Sequence, residues 1–388
     1  MNKKGILSFI CFVVFAAVSC GQQKGKAESD PLFVVVQHSK FGSKYGYFAR
    51  SKYGYIDKTG KMIIKPQYDH AWKFSEGLAL VMINDEQGYV EGRYYLDKYG
   101  YIDKTGKYVI KPQYDNARFF SDGLAAVAVG NKYGFIDKTG KMVISPQFDF
   151  VFDSFKESGD LVRVEIKRDK LGYIDKTGKV VIYSRFKKCW NFSDGLARVK
   201  IGGKIGYIDK TGEIVIKPQF KTAEDFSEGL ARVEIGGKDA YIDKTGKIAF
   251  DRQFDYAGHE TEGSFSEGLA AVYIGGKWGY IDKTGKVAIK PQFDDAQPFS
   301  GGLARVYIGD WKDWKDVQYG YIDKTGKMVI KPLFNDAENF SEGLAVVWDG
   351  HYWSYIDSTG KLIVNPKSWG DLEALYSPKG SAPYSSQE

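Results

Sequence analysis

The tetrapeptide DKTG begins at Asp57, Asp103, Asp137, Asp175, Asp209, Asp243, Asp282 and Asp323, and a ninth copy at Asp357 reads DSTG. Successive aspartates lie 46, 34, 38, 34, 34, 39, 41 and 34 residues apart, so a 34-residue unit recurs with insertions. A unit of that size cannot bury its own apolar face and needs neighbours on both sides. The 388 residues are therefore one array rather than two or three independent domains.

One clean unit, Gly195 to Glu228, reads GLARVKIGGKIGYIDKTGEIVIKPQFKTAEDFSE. In LARVKI, Ala197, Val199 and Ile201 alternate with Leu196, Arg198 and Lys200, the period of a half-buried strand, here strand A. Gly202-Gly203 can take the positive φ of a tight hairpin. KIGYID is then strand B and EIVIKP strand C. Between B and C, Asp209 to Gly212 fits a type I turn with a left-handed glycine, its Asp accepting backbone N–H bonds. The prolines of KPQF or KPQY remove a backbone donor and are expected to end the pairing. A return segment with Ala and Phe then leads through Ser-acid-Gly into the next strand A. The predicted fold is all-β, a tandem array of about nine three-stranded antiparallel meanders over 32–366. Strand A begins the array at Leu32 to Val36, and A, B and C are all present from Leu344 to Val364. Both ends are thus in the same phase, which predicts an open superhelical array, with a closed propeller as the alternative.

DKTG is also the motif around the aspartate that P-type ATPases phosphorylate. Nine copies in series, with no nucleotide-binding domain beside them, speak for a turn instead. Each turn carries a single carboxylate, too few for a calcium loop. His38, His70, His259 and His351 have no metal-ligand spacing,. Cys189, in RFKKCWNF, reads as a small buried apolar residue. No metal, no cofactor and no catalytic residue is expected. An envelope hydrolase with its site in an irregular unit, such as Ser154 to Gly172 with Glu157, Asp160, Glu165 and Asp169, is the alternative.

At the N-terminus, Lys3 and Lys4 precede a short apolar core from Gly5 to Ala17, and Ala17-Val18-Ser19-Cys20 closes it,. This resembles a bacterial lipoprotein signal (1–19), which implies lipidation of Cys20 and anchorage to a membrane of the cell envelope. A linker (20–31) would precede the array, and a polar tail (367–388) would follow it. The formal charge of +6 is small, with both signs interleaved along the chain. Nucleic acid is not an expected partner, since a clustered basic face would be its footprint.

Two long intervals carry the insertions Asn84 to Gly100 and Gly309 to Gly320, both enlarging the A–B hairpin. Insertions in an array map to one face, often the binding face. Their aromatics Tyr89, Tyr94, Tyr95, Trp311 and Trp314 are the leading binding candidates. A second set, Arg163, Arg198, Arg232 and Arg305, is assigned to outward positions of strand A. The lysines that follow the turn aspartates are expected to form a basic rim, with the acids of the Ser-acid-Gly turns forming an acidic rim elsewhere.

The pattern GLAxVxxGGKxGYIDKTGKxVIKPQF resembles the WG-repeat family from about Lys44 to Pro366. Only Trp278-Gly279 is a true WG. The equivalent positions are Tyr53-Gly54, Tyr99-Gly100, Tyr133-Gly134, Leu171-Gly172, Ile205-Gly206, Asp239-Ala240, Tyr319-Gly320 and Trp353-Ser354. The resemblance implies a non-enzymatic interaction module whose partner would be an envelope protein or glycan.

Overall fold

The computed structural model describes residues 31–38, 51–83, 89–90, 93–94, 97–155, 159–168, 170–184, 186, 188–250, 254, 263–309, 318–363 and 372–374. Cys20, Tyr95, Trp311 and Trp314 lie outside them, and of Tyr94 only the backbone is described. The chain is an array of small antiparallel sheets, none with more than four strands among the described residues. In the third repeat, strands A, B and C are Leu124–Val129, Lys132–Asp137 and Met142–Phe148. The return segment contributes a strand of its own: Asn116–Ala117 pairs with strand A, giving the order return, A, B, C.

Strand A runs from the Ser-acid-Gly turn to the A–B hairpin, and strand B runs back to DKTG. Each repeat therefore has a turn end, carrying the DKTG or DSTG turn and, in six of the nine, Ser-acid-Gly, and a hairpin end. Both insertions fall at the hairpin end. The first forms a small hairpin, Tyr89↔Tyr94 and Val90↔Arg93, between strands that pair at Ile83↔Lys98. The second lies between Tyr307 and Tyr319, which are cross-strand partners.

The prolines do not end strand C. Ile214–Phe220 continues through Pro218, and Ile205 pairs with Phe220 beyond it. A bulge lifts the proline over Gly206, where an added Cβ would meet Ile216 O at 2.4 Å and Pro218 N at 2.6 Å. The glycine of the YG and WG pairs is thus required by the arch of its neighbour strand. Ala240 stands in a repeat without the proline, in a sheet of two strands among the described residues. Beyond the bulge the aromatic is buried, as at Tyr68, Phe148 and Phe220. The exposed edge this leaves carries Lys and Pro, which discourage edge-to-edge pairing.

Neighbouring repeats share cores. The tyrosine of each YID motif is almost fully buried, and its hydroxyl donates to a backbone carbonyl of the next repeat: Tyr55 to Trp72 O and Tyr207 to Glu224 O, each at 2.7 Å. Each DKTG glycine packs against the preceding repeat, Gly246 against Ile216 and Gly212 against Ile182. The same contacts join the ends of the array. Tyr355 donates to Val34 O at 2.9 Å, and Gly60 abuts Ile363. Phe33, Val35 and Ile56 share a core cluster with Leu344 and Tyr355. Leu372–Ala374 pairs with Leu32–His38 in the place that a return strand takes elsewhere. Each sheet is separate and open, as expected of a tandem array of meanders, and these contacts bring its first and last repeats together.

Candidate functional site

At the turn end, all nine aspartates do the same work. Asp57 Oδ1 accepts from Thr59 N at 2.8 Å, Thr59 Oγ1 at 2.6 Å and Lys61 N at 3.1 Å, and Gly60 N donates to Asp57 O at 3.0 Å. The Thr59 hydroxyl above all, and the two N–H donors with it, hold the Asp57 carboxyl below its ordinary range,. All three donors fall on Oδ1, which makes the carboxylate the organising element of the turn.

The two charged rims meet and neutralise each other. Lys138 pairs with Glu76 at 3.1 Å, Lys244 with Asp194 at 2.7 Å, Lys283 with Glu228 at 2.9 Å and Lys324 with Glu267 at 3.1 Å, and Lys176 pairs with Asp122. In each case the lysine of one repeat meets the acid of the repeat before it. The acids also accept backbone N–H groups of the following turn, as Glu76 does from Asp122 N at 2.5 Å and Gly123 N at 3.0 Å. Burial pushes the Glu76 carboxyl up, but Lys138 and these N–H donors outweigh it and the net shift is downward. Holding the carboxylate there places Glu76 at φ 52 and Glu228 at φ 53, left-handed positions that cost a non-glycine residue about 1 kcal/mol,. The ninth turn explains itself in these terms. Its DSTG has Ser358 where others have lysine, and the repeat before it has Gly301 where others have the acid. Both partners of one clamp are absent together.

The arginines do not point outward. Arg163 stacks on Phe152 with its guanidinium carbon 4.2 Å from the ring centroid, and it donates to Cys189 O of the next repeat. Arg198 binds Asp225 through Nε at 2.6 Å and Nη2 at 3.1 Å, Ala223 O at 2.7 Å and Glu224 at 3.3 Å. Arg232 is buried between Glu224 at 3.3 Å and Asp239 at 3.1 Å. Arg305 donates to Ala337 O. Strand A faces a neighbouring repeat on each side, so the arginine face that a lone sheet would give to solvent is an inter-repeat contact. Arg163, Arg198 and Arg305 reach the return segment of the next repeat, while both partners of Arg232 belong to its own repeat.

The hairpin end differs. Aromatics collect there: half-buried Tyr273 against buried Trp278 (centroids 5.6 Å), half-buried Trp348 against Trp353 (5.3 Å), and half-buried Tyr53 stacked on His70 (4.5 Å), which stacks on buried Trp72 (4.9 Å). Burial lowers the tendency of His70 to take a proton, Asp69 opposing weakly. Lysines at the start of strand B are paired here too, Lys52 with Asp69 at 2.6 Å and Lys98 with Asp115 at 2.5 Å. This aromatic set escaped prediction from sequence because its members come from strand A, strand B and the next return segment. The one available signal was the residue before the WG-position glycine, which is aromatic in six of the nine repeats. Among the described residues no group of three or more His, Cys, Asp or Glu could hold a metal ion, and no helix is long and apolar enough to cross a membrane.

No curated protein matches the chain. Among solved structures, a eukaryotic initiation factor is 12% identical over 69% of this chain and 81% of its own, with a TM-score of 0.46. BamB from Moraxella catarrhalis is 11% identical over 75% and 91%, with a TM-score of 0.35. Hsv2p from Kluyveromyces lactis is 10% identical over 62% and 92%, with a TM-score of 0.37. The WG containing repeat matches residues 53–86, 99–133, 133–170, 172–204, 205–238, 240–278, 278–310 and 319–347. The chain belongs to the WG-repeat family.

Proposed function

We propose that the protein is a lipid-anchored, non-enzymatic binding or scaffold protein of the cell envelope, tethered through Cys20 and presenting the hairpin end of its array to an envelope protein or glycan. The observation that carries this reading is the difference between the two ends. Charged groups at the turn end are consumed by clamps between repeats, while the hairpin end holds both insertions and half-buried rings such as Trp348 and Trp353. Large rigid rings offer contact area at low entropic cost and are favoured at binding surfaces. The anchor rests on the sequence before Cys20, small residues following a short apolar run,.

Metabolic labelling with a fatty-acid probe tests the tether. The wild-type chain is expected to take label and sediment with membranes, and Cys20→Ala is expected to lose the label and either leave the membrane fraction or keep its signal segment uncleaved. Label retained by Cys20→Ala would remove the lipoprotein half of the proposal.

A further inference from the structure

Lysines at three places in the repeat are engaged. At the start of strand B they meet carboxylates, as Lys52 does Asp69 and Lys277 does Asp294; inside DKTG they form the clamps; and after the turn Lys61 lies beside Asp57 and helps keep it ionised. Strand C differs. It is the free edge of its sheet, Met62–Tyr68 in the first repeat, Tyr108–Tyr114 in the second, Ile214–Phe220 in the fifth, Val287–Phe293 in the seventh and Met328–Phe334 in the eighth. These strands carry Lys65, Lys111, Lys217, Lys290 and Lys331, all exposed and none paired with a carboxylate among the described residues. None of the five strands contains an acid.

Alternation along the strand puts two more exposed side chains on the face of each lysine. In the first repeat the set is Ile63, Lys65 and Gln67, in the second Val109, Lys111 and Gln113, and the fifth repeats it around Lys217. The Gln67 and Gln113 amides have no hydrogen-bond partner among the described residues. Protection of a free edge accounts for the lysine, but it asks for neither an exposed branched aliphatic nor an amide at a fixed register. At about 3.3 Å per residue the set spans roughly 13 Å. In the second repeat it lines an open groove of about 460 Å³, with Thr139 and Gly140 of the next repeat as the other wall and Lys111 as the one charged residue of the lining. Three chemistries are on offer: an anion seats on the ammonium, a hydroxyl exchanges hydrogen bonds with the amide, and a C–H face lies on the aliphatic group. An acidic sugar chain supplies all three, and its repetition matches that of the strand.

We propose that the outward face of strand C is a second binding surface, for an acidic polysaccharide, with the groove of the second repeat as one of its seats. It lies apart from the hairpin end and does not rest on the reading of that end. In the test, the mature chain lacking residues 1–20 is passed over immobilised polygalacturonate, a phosphodiester-linked glycan, dextran and duplex DNA, and is mixed with phosphatidylglycerol vesicles. At least one acidic glycan should retain it and dextran should not, and the two acidic matrices tell whether carboxylate or phosphate is preferred. Lys65→Gln, Lys111→Gln and Lys217→Gln combined should weaken retention roughly tenfold or more, through the loss of three charge-assisted contacts. Lys138→Gln, Lys244→Gln and Lys324→Gln combined remove the same charge from the clamps and should leave retention within about twofold at physiological salt, where distant charges are screened. Gln67→Ala with Gln113→Ala, which leaves the charge unchanged, should weaken retention by roughly twofold to tenfold. The strand C substitutions are all at exposed positions, and melting curves show that the fold is kept. Equal losses in the two lysine triples, a glutamine variant that binds like wild type, DNA or vesicles held as tightly as the acidic glycans, or no retention on either acidic glycan would overturn the proposal.

Discussion

Replacing Gly206 by alanine is expected to cost roughly 3 kcal/mol of stability, near the upper end for a single methyl group. The reason is backbone rather than side chain. The new Cβ would sit 2.4 Å from Ile216 O and 2.6 Å from Pro218 N, and neither can rotate away as a flexible side chain could. Strand C must then abandon its arch, which would dislodge Phe220 from the core beyond the bulge. The matching control is Ala240→Gly, in the repeat where Phe250 to Phe254 replaces the proline segment. Ala240 is fully buried, and its change to glycine should cost only about 1 kcal/mol, the usual penalty of a flexible backbone. Chemical denaturation of both variants reads the difference. Equal losses would mean that the glycine of the WG position answers to something other than the strand beside it.

Removing Arg198 is expected to cost about 3–5 kcal/mol, the range for breaking a buried ion pair and leaving its partners uncompensated. Its side chain is 13% exposed and that of Glu224 11%, and Arg198 also satisfies Ala223 O and both oxygens of Asp225. After Arg198→Ala, Arg232 alone would face Glu224, Asp225 and Asp239. Lys244→Ala, at the turn end, should cost no more than about 1 kcal/mol, since its pair with Asp194 is open to solvent on both sides,. The two substitutions thus separate a buried clamp from a surface one. Similar denaturation midpoints for both variants would contradict that separation.

The sequence disclosed the unit readily, because its period, its glycine pairs and its turn letters are local signals. Strands A, B and C, the DKTG hydrogen bonds and the burial of Cys189 all follow from patterns within a few residues. The relations between repeats were less legible. Arg198 looks outward on a lone strand because alternation reports only two faces, and it cannot say that the polar face is covered by the next repeat. The paired loss of Lys and acid at Ser358 and Gly301 was visible in the letters, yet it acquires meaning only once Lys244 is seen beside Asp194 across 50 residues. The proline misled for a related reason: a missing N–H forbids one ladder bond, but a bulge over a glycine lets the strand continue.

The turn end is consumed in holding the array together, and the proposed binding belongs to the hairpin end. Hydrogen–deuterium exchange of the lipid-free mature chain, with and without detergent-solubilised envelope extract, separates the two ends. Protection gained at the A–B hairpins, above all 84–97, 309–319 and 348–353, with the nine DKTG turns unchanged, is the predicted result. Protection gained at the DKTG and Ser-acid-Gly turns, with the hairpins unchanged, would contradict it.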